Sequence, residues 1–90
     1  MATYMITLMN RGQDWIAVVK TYLYVKNEAI EIREENNTFH SKYSAFESIM
    51  MRFNDLDFEN DHLIINGNEA ASIHDMARLF EREFVLSKTA

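Results

Sequence analysis

Cysteine and proline are both missing from this chain, and glycine occurs only at Gly12 and Gly67. The lack of cysteine excludes disulfides, cysteine-ligated zinc and thiol nucleophiles together. Without proline, and with so little glycine, there is little room for long irregular loops or a flexible linker. No apolar run approaches the roughly 20 residues that a membrane-spanning helix needs. No internal repeat or low-complexity stretch is present. The Met-Ala-Thr opening runs straight into a strand-like segment, which predicts the absence of a secretory leader. Six methionines with no covalent staple fit a reducing compartment, so the expected location is cytoplasmic.

What is present makes one small domain of 90 residues, 48% of them apolar. That fraction argues against disorder. A chain this short buries only about 60–65% of its unfolded surface, so the core is modest. The net charge of −5 is unevenly placed. Residues 1–45 balance five basic groups against five acidic ones, whereas residues 46–90 set four against nine. An acidic surface repels phosphate and favours solubility, cations or basic partners.

Hydrophobic patterning predicts the element order strand, strand, strand, helix, strand, helix. Tyr4–Met9 is apolar at both parities, as a central strand packed on each side would be. Asn10–Asp14 is a turn by composition. Trp15–Lys26 is dense in β-branched and aromatic residues, which favours a strand over a helix. One of its faces shows Trp15, Ala17, Val19, Thr21, Leu23 and Val25; the other shows Ile16, Val18, Lys20, Tyr22, Tyr24 and Lys26. Asn27-Glu28 can reverse the chain. Glu28–Glu35 then alternates, with Ile30 and Ile32 expected inward. Ser44-Ala-Phe-Glu47 reads as a capping box opening a helix whose stripe is Phe46, Ile49, Met50, Phe53 and Leu56. His62–Ile65 is a short buried strand, and Asn66-Gly67-Asn68 leads into a second helix starting between Asn68 and Ser72. Its stripe is Ile73, Met76, Ala77, Phe80 and Phe84. Ser87–Ala90 is expected to fray. The fold class is therefore α+β. A helix between two strands makes a parallel crossover, so the sheet is mixed: an antiparallel meander plus one parallel strand, with helices on at least one face.

Ser44-Ala-Phe-Glu47-Ser-Ile-Met-Met-Arg-Phe and His62-Leu-Ile-Ile-Asn-Gly-Asn-Glu-Ala-Ala, in that order of elements, resemble the first two thirds of a ribonuclease H-like fold. The resemblance runs from about Thr3 to Phe84. It implies carboxylates at the end of the first strand, in the first helix and at the end of the fourth strand, together holding two divalent metals. The matching positions are Asn10, Glu47 and Asn66 or Gly67. Only Glu47 is acidic, and asparagine brings no charge to offset a metal pair. The site is thus expected to be degenerate, with no metal, no cofactor and no catalysis. Glu47 also has a full structural reading as a capping residue.

Three other patterns bear on function. Asp55, Asp57, Glu59 and Asp61 alternate like the start of a calcium loop, but Asn60 stands where the glycine belongs and Asn66 where the bidentate glutamate belongs. That predicts a solvated connection. His40, His62 and His74 stand apart, without ligand spacing. Lys20, Tyr22, Tyr24 and Lys26 share one strand face and are the expected binding face. Aromatics interleaved with lysines can stack bases, yet tyrosine equally suits a protein interface. A strand this long exceeds what two short helices can cover, which favours self-association. The expectation is a non-catalytic module that binds another protein, an inhibitor or adaptor of the sort phage and mobile elements carry, and a homo-oligomer. The competing expectation is a nucleic-acid binder or degenerate nuclease, disfavoured by the acidic balance. No membrane contact is expected.

Overall fold

Strand order across the single five-stranded sheet is β3-β2-β1-β4-β5. The computed structural model describes residues 1–88, with side chains through Phe84. The elements are β1 Ala2–Arg11, β2 Asp14–Val25, β3 Glu28–Phe39, α1 Lys42–Arg52, β4 His62–Ile65, β5 Asn68–Ala70 and α2 Ile73–Lys88. The first three strands form the expected antiparallel meander, and β4 lies parallel to β1. The α+β class and the mixed sheet therefore stand. The expected fraying of Ser87–Ala90 meets a helix reaching Lys88, and positions 89–90 lie outside the described residues.

Positive φ marks each tight turn. Gly12 (φ 63) opens the β1–β2 turn at the position where a II′ hairpin takes glycine. Lys26 (φ 51) and Asn27 (φ 67) make the β2–β3 turn, one residue earlier than expected. Asn66 (φ 47) and Gly67 (φ 84) make a third. This last turn corrects the expectation for Asn66–Asn68. The chain does not pass there into a helix but folds back as β5, pairing Ile65 with Asn68. Asn-Gly is the preferred pair for a two-residue turn because both residues tolerate left-handed backbone.

The helix starts also shift. Ser41, not Ser44, caps α1: its backbone is extended and its Oγ accepts from the Ser44 N–H at 3.1 Å. Glu47 is exposed and caps nothing, because it lies in the second turn of a helix that begins earlier. Ser72 caps α2. Its Oγ accepts from the Asp75 N–H at 3.0 Å, and the Asp75 carboxylate reaches back to the Ala71 N–H at 2.9 Å. That is a capping box in both directions.

The core lies between the sheet and the two helices. Ile6 and Leu8 of β1, Trp15, Ala17 and Val19 of β2, and Leu63 and Ile65 of β4 face Ala45, Ile49, Phe53, Met76, Leu79, Phe80 and Phe84. Burying a side chain the size of Ile6 or Phe80 contributes about 1.5–3 kcal/mol. Trp15 meets Phe84 edge-on at 4.9 Å and Tyr4 meets Phe53 at 5.2 Å. Ile73 is exposed, so the buried stripe of α2 runs through Leu79 and Glu83 instead.

Both helices pack on this one face. The expectation that β1 is covered on each side is therefore corrected: Met5 and Met9 remain 40% and 43% exposed. Ile30 and Ile32 are not inward either. Neither helix reaches the outer end of the β2–β3 hairpin, and the register shift opposite Thr21/Tyr22 leaves Ile32 as an extra residue in β3.

Candidate functional site

The four positions aligned with a metal site do not assemble into one. Asn10 ends β1, and its amide donates to the Asp14 carbonyl at 3.2 Å, bracing the first hairpin. Glu47 points to solvent from α1. Gly67 serves the β4–β5 turn. Asn66 is occupied on both sides of its amide. Its Oδ1 accepts from the Leu8 N–H at 2.8 Å, and its Nδ2 donates to the Leu8 carbonyl and to Glu83 Oε2 at 3.3 and 2.9 Å. The side chain acts as one more residue of strand, continuing the β1–β4 ladder after the backbone has turned away. Glu83 is the buried carboxylate beneath it. Sequence reasoning missed this pair. Its only local signal was a glutamate one helical turn from Leu79 and Phe80, on the apolar stripe.

The acidic connection between α1 and β4 is equally committed. Asp57 Oδ1 accepts from the Glu59 N–H at 3.1 Å and its Oδ2 from the Asn60 amide at 2.6 Å. These bonds, the Asn60 amide first, hold the Asp57 carboxyl below its ordinary value. Asp61 Oδ1 accepts from the Ala2 N–H at 2.8 Å, tying the connection to the start of β1. Asp55, Asp57 and Asp61 border a cleft of ≈ 360 Å³ that also holds the Arg52 guanidinium. Among the described residues, no group of three His, Asp or Glu side chains converges closely enough to hold a metal ion.

The uncovered sheet face is the remaining feature. Strand pairing places its residues in rows across the sheet. Glu31, Tyr22, Thr3 and His62 form one row, and Glu34, Lys20, Met5, Ile64 and Glu69 the next. Asn36, Val18 and Thr7 follow, then Thr38, Ile16 and Met9. The centre is thus apolar, with Ile16, Val18 and Ile64 half-buried by one another. Lys20 and Tyr22 belong to this face, and Tyr24 lies farther out on it, 53% exposed. Lys26 does not: it sits in the hairpin turn.

Lys20 is not a free cation. Its Nζ lies 3.7 Å from Glu31 and 3.6 Å from Glu34, and the Tyr22 hydroxyl donates to Glu31 at 3.3 Å. Glu31, then Tyr22 and Glu34, hold the Lys20 ammonium above its ordinary value. One lysine against two carboxylates leaves this end of the face negative, a poor seat for phosphate. The apolar centre was legible only in part, since Met5, Met9 and Ile64 come from strands expected to be covered.

Comparison with known proteins identifies one family. The model described as "Secreted protein acidic and rich in cysteine Ca binding region" matches residues 2–83. No curated protein and no solved structure matches. This family assignment replaces the ribonuclease H-like resemblance, which rested on element order and on spacings that Asn10, Glu47, Asn66 and Gly67 do not turn into a site. It also overturns the cytoplasmic expectation, because the matched family is described as secreted. Absence of cysteine rules out disulfides but does not report a compartment.

Proposed function

This chain belongs to the family of the calcium-binding region of secreted protein acidic and rich in cysteine, and on that premise we propose that it acts by binding, as a protein-interaction domain without catalysis. The calcium chemistry in the family's description does not fit the residues present. A calcium loop offers six to eight oxygens, with carboxylates turned toward one point. Here Asp57 and Asp61 spend oxygens on Glu59, Asn60 and Ala2. The positions for glycine and for the bidentate glutamate hold Asn60 and Asn66, and the latter is tied to Leu8.

One observation carries the interaction reading. Both helices lie on one face of the sheet, and the other face presents an apolar centre that nothing in the chain covers. Its exposed or half-exposed side chains come from three adjacent strands, so they form a patch and not scattered surface residues. Tyrosine and methionine on that patch are residue types enriched in interfaces, and they adapt to a partner's shape. An inhibitor or an adaptor needs only such a face. Nucleic acid is the weaker occupant, because Lys20 is already paired with two glutamates.

Methionine oxidation reads the face directly. In the free, dilute protein Met5 and Met9 should oxidise at moderate rates and Met51, 72% exposed on α1, faster. With a bound partner, Met5 and Met9 should be protected while Met51 is unchanged. The reading is wrong if Met5 and Met9 stay as reactive in extract of the native source, and in concentrated protein, as they are in dilute protein.

A further inference from the structure

We infer that the occupant of the open sheet face is a second copy of this chain, packed face to face about a twofold axis that runs across the strands. The inference rests on the interaction reading above and names its partner. Two features of the face favour a copy of itself over another protein: its symmetry of content and its size.

A twofold axis across the strands, through the row of Val18 and Thr7, turns the face end for end. Successive rows on either side then exchange places. The Met5 row meets the other copy's Met9 row, and Val18 meets Val18 at the axis. Lys20, whose stem is apolar, falls over the other copy's Ile16. One row farther out, Glu31 at one end meets the row of Arg11 and Asp14 at the other. Arg11 is exposed and makes no ion pair among the described residues. The negative end of one copy therefore faces an available guanidinium of the other. A twofold axis along the strands would instead bring Glu34 against Glu69, which repel. Charge selects the first arrangement.

Size agrees. Strands lie about 4.8 Å apart and rise about 3.3 Å per residue, so the patch from β3 to β4 and from Tyr22 to Ile16 covers roughly 450 Å² of plane. Side-chain relief adds to this, and a pair of copies removes on the order of 1,000 Å² from water, the lower bound for a specific interface. The expected dimer is accordingly weak, dissociating in the micromolar range.

Light scattering on the pure protein from about 1 µM to about 1 mM should show a monomer–dimer transition. Protection of Met5 and Met9, with Met51 as reference, should follow the same concentration dependence. Val18→Glu sets two carboxylates against each other at the axis and should weaken association at least tenfold. Arg11→Glu should weaken it several-fold, and Arg11→Lys should preserve it. Thermal melts establish that each variant is folded; if Val18→Glu is not, Met9→Lys replaces it, with the same expected loss. A protein that stays monomeric throughout, or a dimer that a folded Val18→Glu leaves intact, overturns the inference. In either case, protection of Met5 and Met9 in native extract would leave the broader interaction reading standing, and its absence would remove both.

Discussion

The side-chain amide of Asn66 pairs with both the N–H and the carbonyl of Leu8, residues 58 positions apart in the chain. It thereby satisfies a strand end that β4 no longer reaches, and it gives Glu83 a donor beneath the sheet. Removing it strands three polar groups in a partly buried place. Because Asn66 has φ 47, glycine is the clean replacement, as it keeps the turn without strain. Asn66→Gly should cost about 1–3 kcal/mol. In a domain this size each kcal/mol lowers the melting midpoint by about 4–8 °C. A midpoint equal to wild type would show that the clasp does not hold the sheet. Asn66→Asp should be worse, since it loses the donor and places a second carboxylate beside Glu83.

The α1 cap gives a second stability test. Ser41→Ala removes the acceptor for the Ser44 N–H and should destabilise by about 1 kcal/mol. Ser44→Ala loses only a hydroxyl that bonds Ser41 on an exposed surface, and should cost less. Thermal melts of the two variants decide: a larger loss for Ser44→Ala would put the helix start back at Ser44.

How far the fold could be read before the structure depended on whether the cause was local. Strands β1 to β4 and both helices were legible, because period and residue type are properties of a short window. The β4–β5 hairpin was missed although Asn66-Gly67 is a strong turn signal; the capping pattern that follows made a helix the competing reading. Ser41 and Ser44 could each open α1, and Glu47 completed a capping box that the helix does not use. Which face of the sheet would stay open was not local at all. Tyr4–Met9 is apolar at both parities, and only the packing of α1 and α2 on the same side leaves Met5 and Met9 to solvent. The Asn66–Leu8–Glu83 clasp joins three distant segments, so no window contains it.

Acid should loosen α2 from its start. The Ala71 N–H, then Arg78, hold the Asp75 carboxyl below its ordinary value near 3.8. A depressed folded value means the native state binds the proton less tightly than the unfolded chain does. The stabilisation is therefore complete above 3.8 and is lost as pH falls through the lower, folded value. Asp75→Asn should melt below wild type at neutral pH, and the gap should close in strong acid. A gap that persists unchanged at low pH would mean that the carboxylate charge is not what stabilises the cap.

Calcium is the sharpest test of how this chain departs from its family's description. A ligand that binds only the folded state raises stability by RT ln(1 + [L]/Kd). A site with a dissociation constant of about 10 µM would, at about 1 mM calcium, add ~2.7 kcal/mol. The melting midpoint would then rise by at least about 10 °C in a domain of this size. The expected outcome is no rise beyond the small effect of ionic strength, with magnesium and calcium behaving alike. Asp57 and Asp61 should behave as structural residues: Asp61→Asn keeps an oxygen for the Ala2 N–H and should be milder than Asp61→Ala, at every calcium concentration. Isothermal titration supplies the direct check. A saturable calcium heat that disappears in Asp57→Asn or Asp61→Asn would show that the loop reorganises around the ion, and the reading of its carboxylates as already committed would fall.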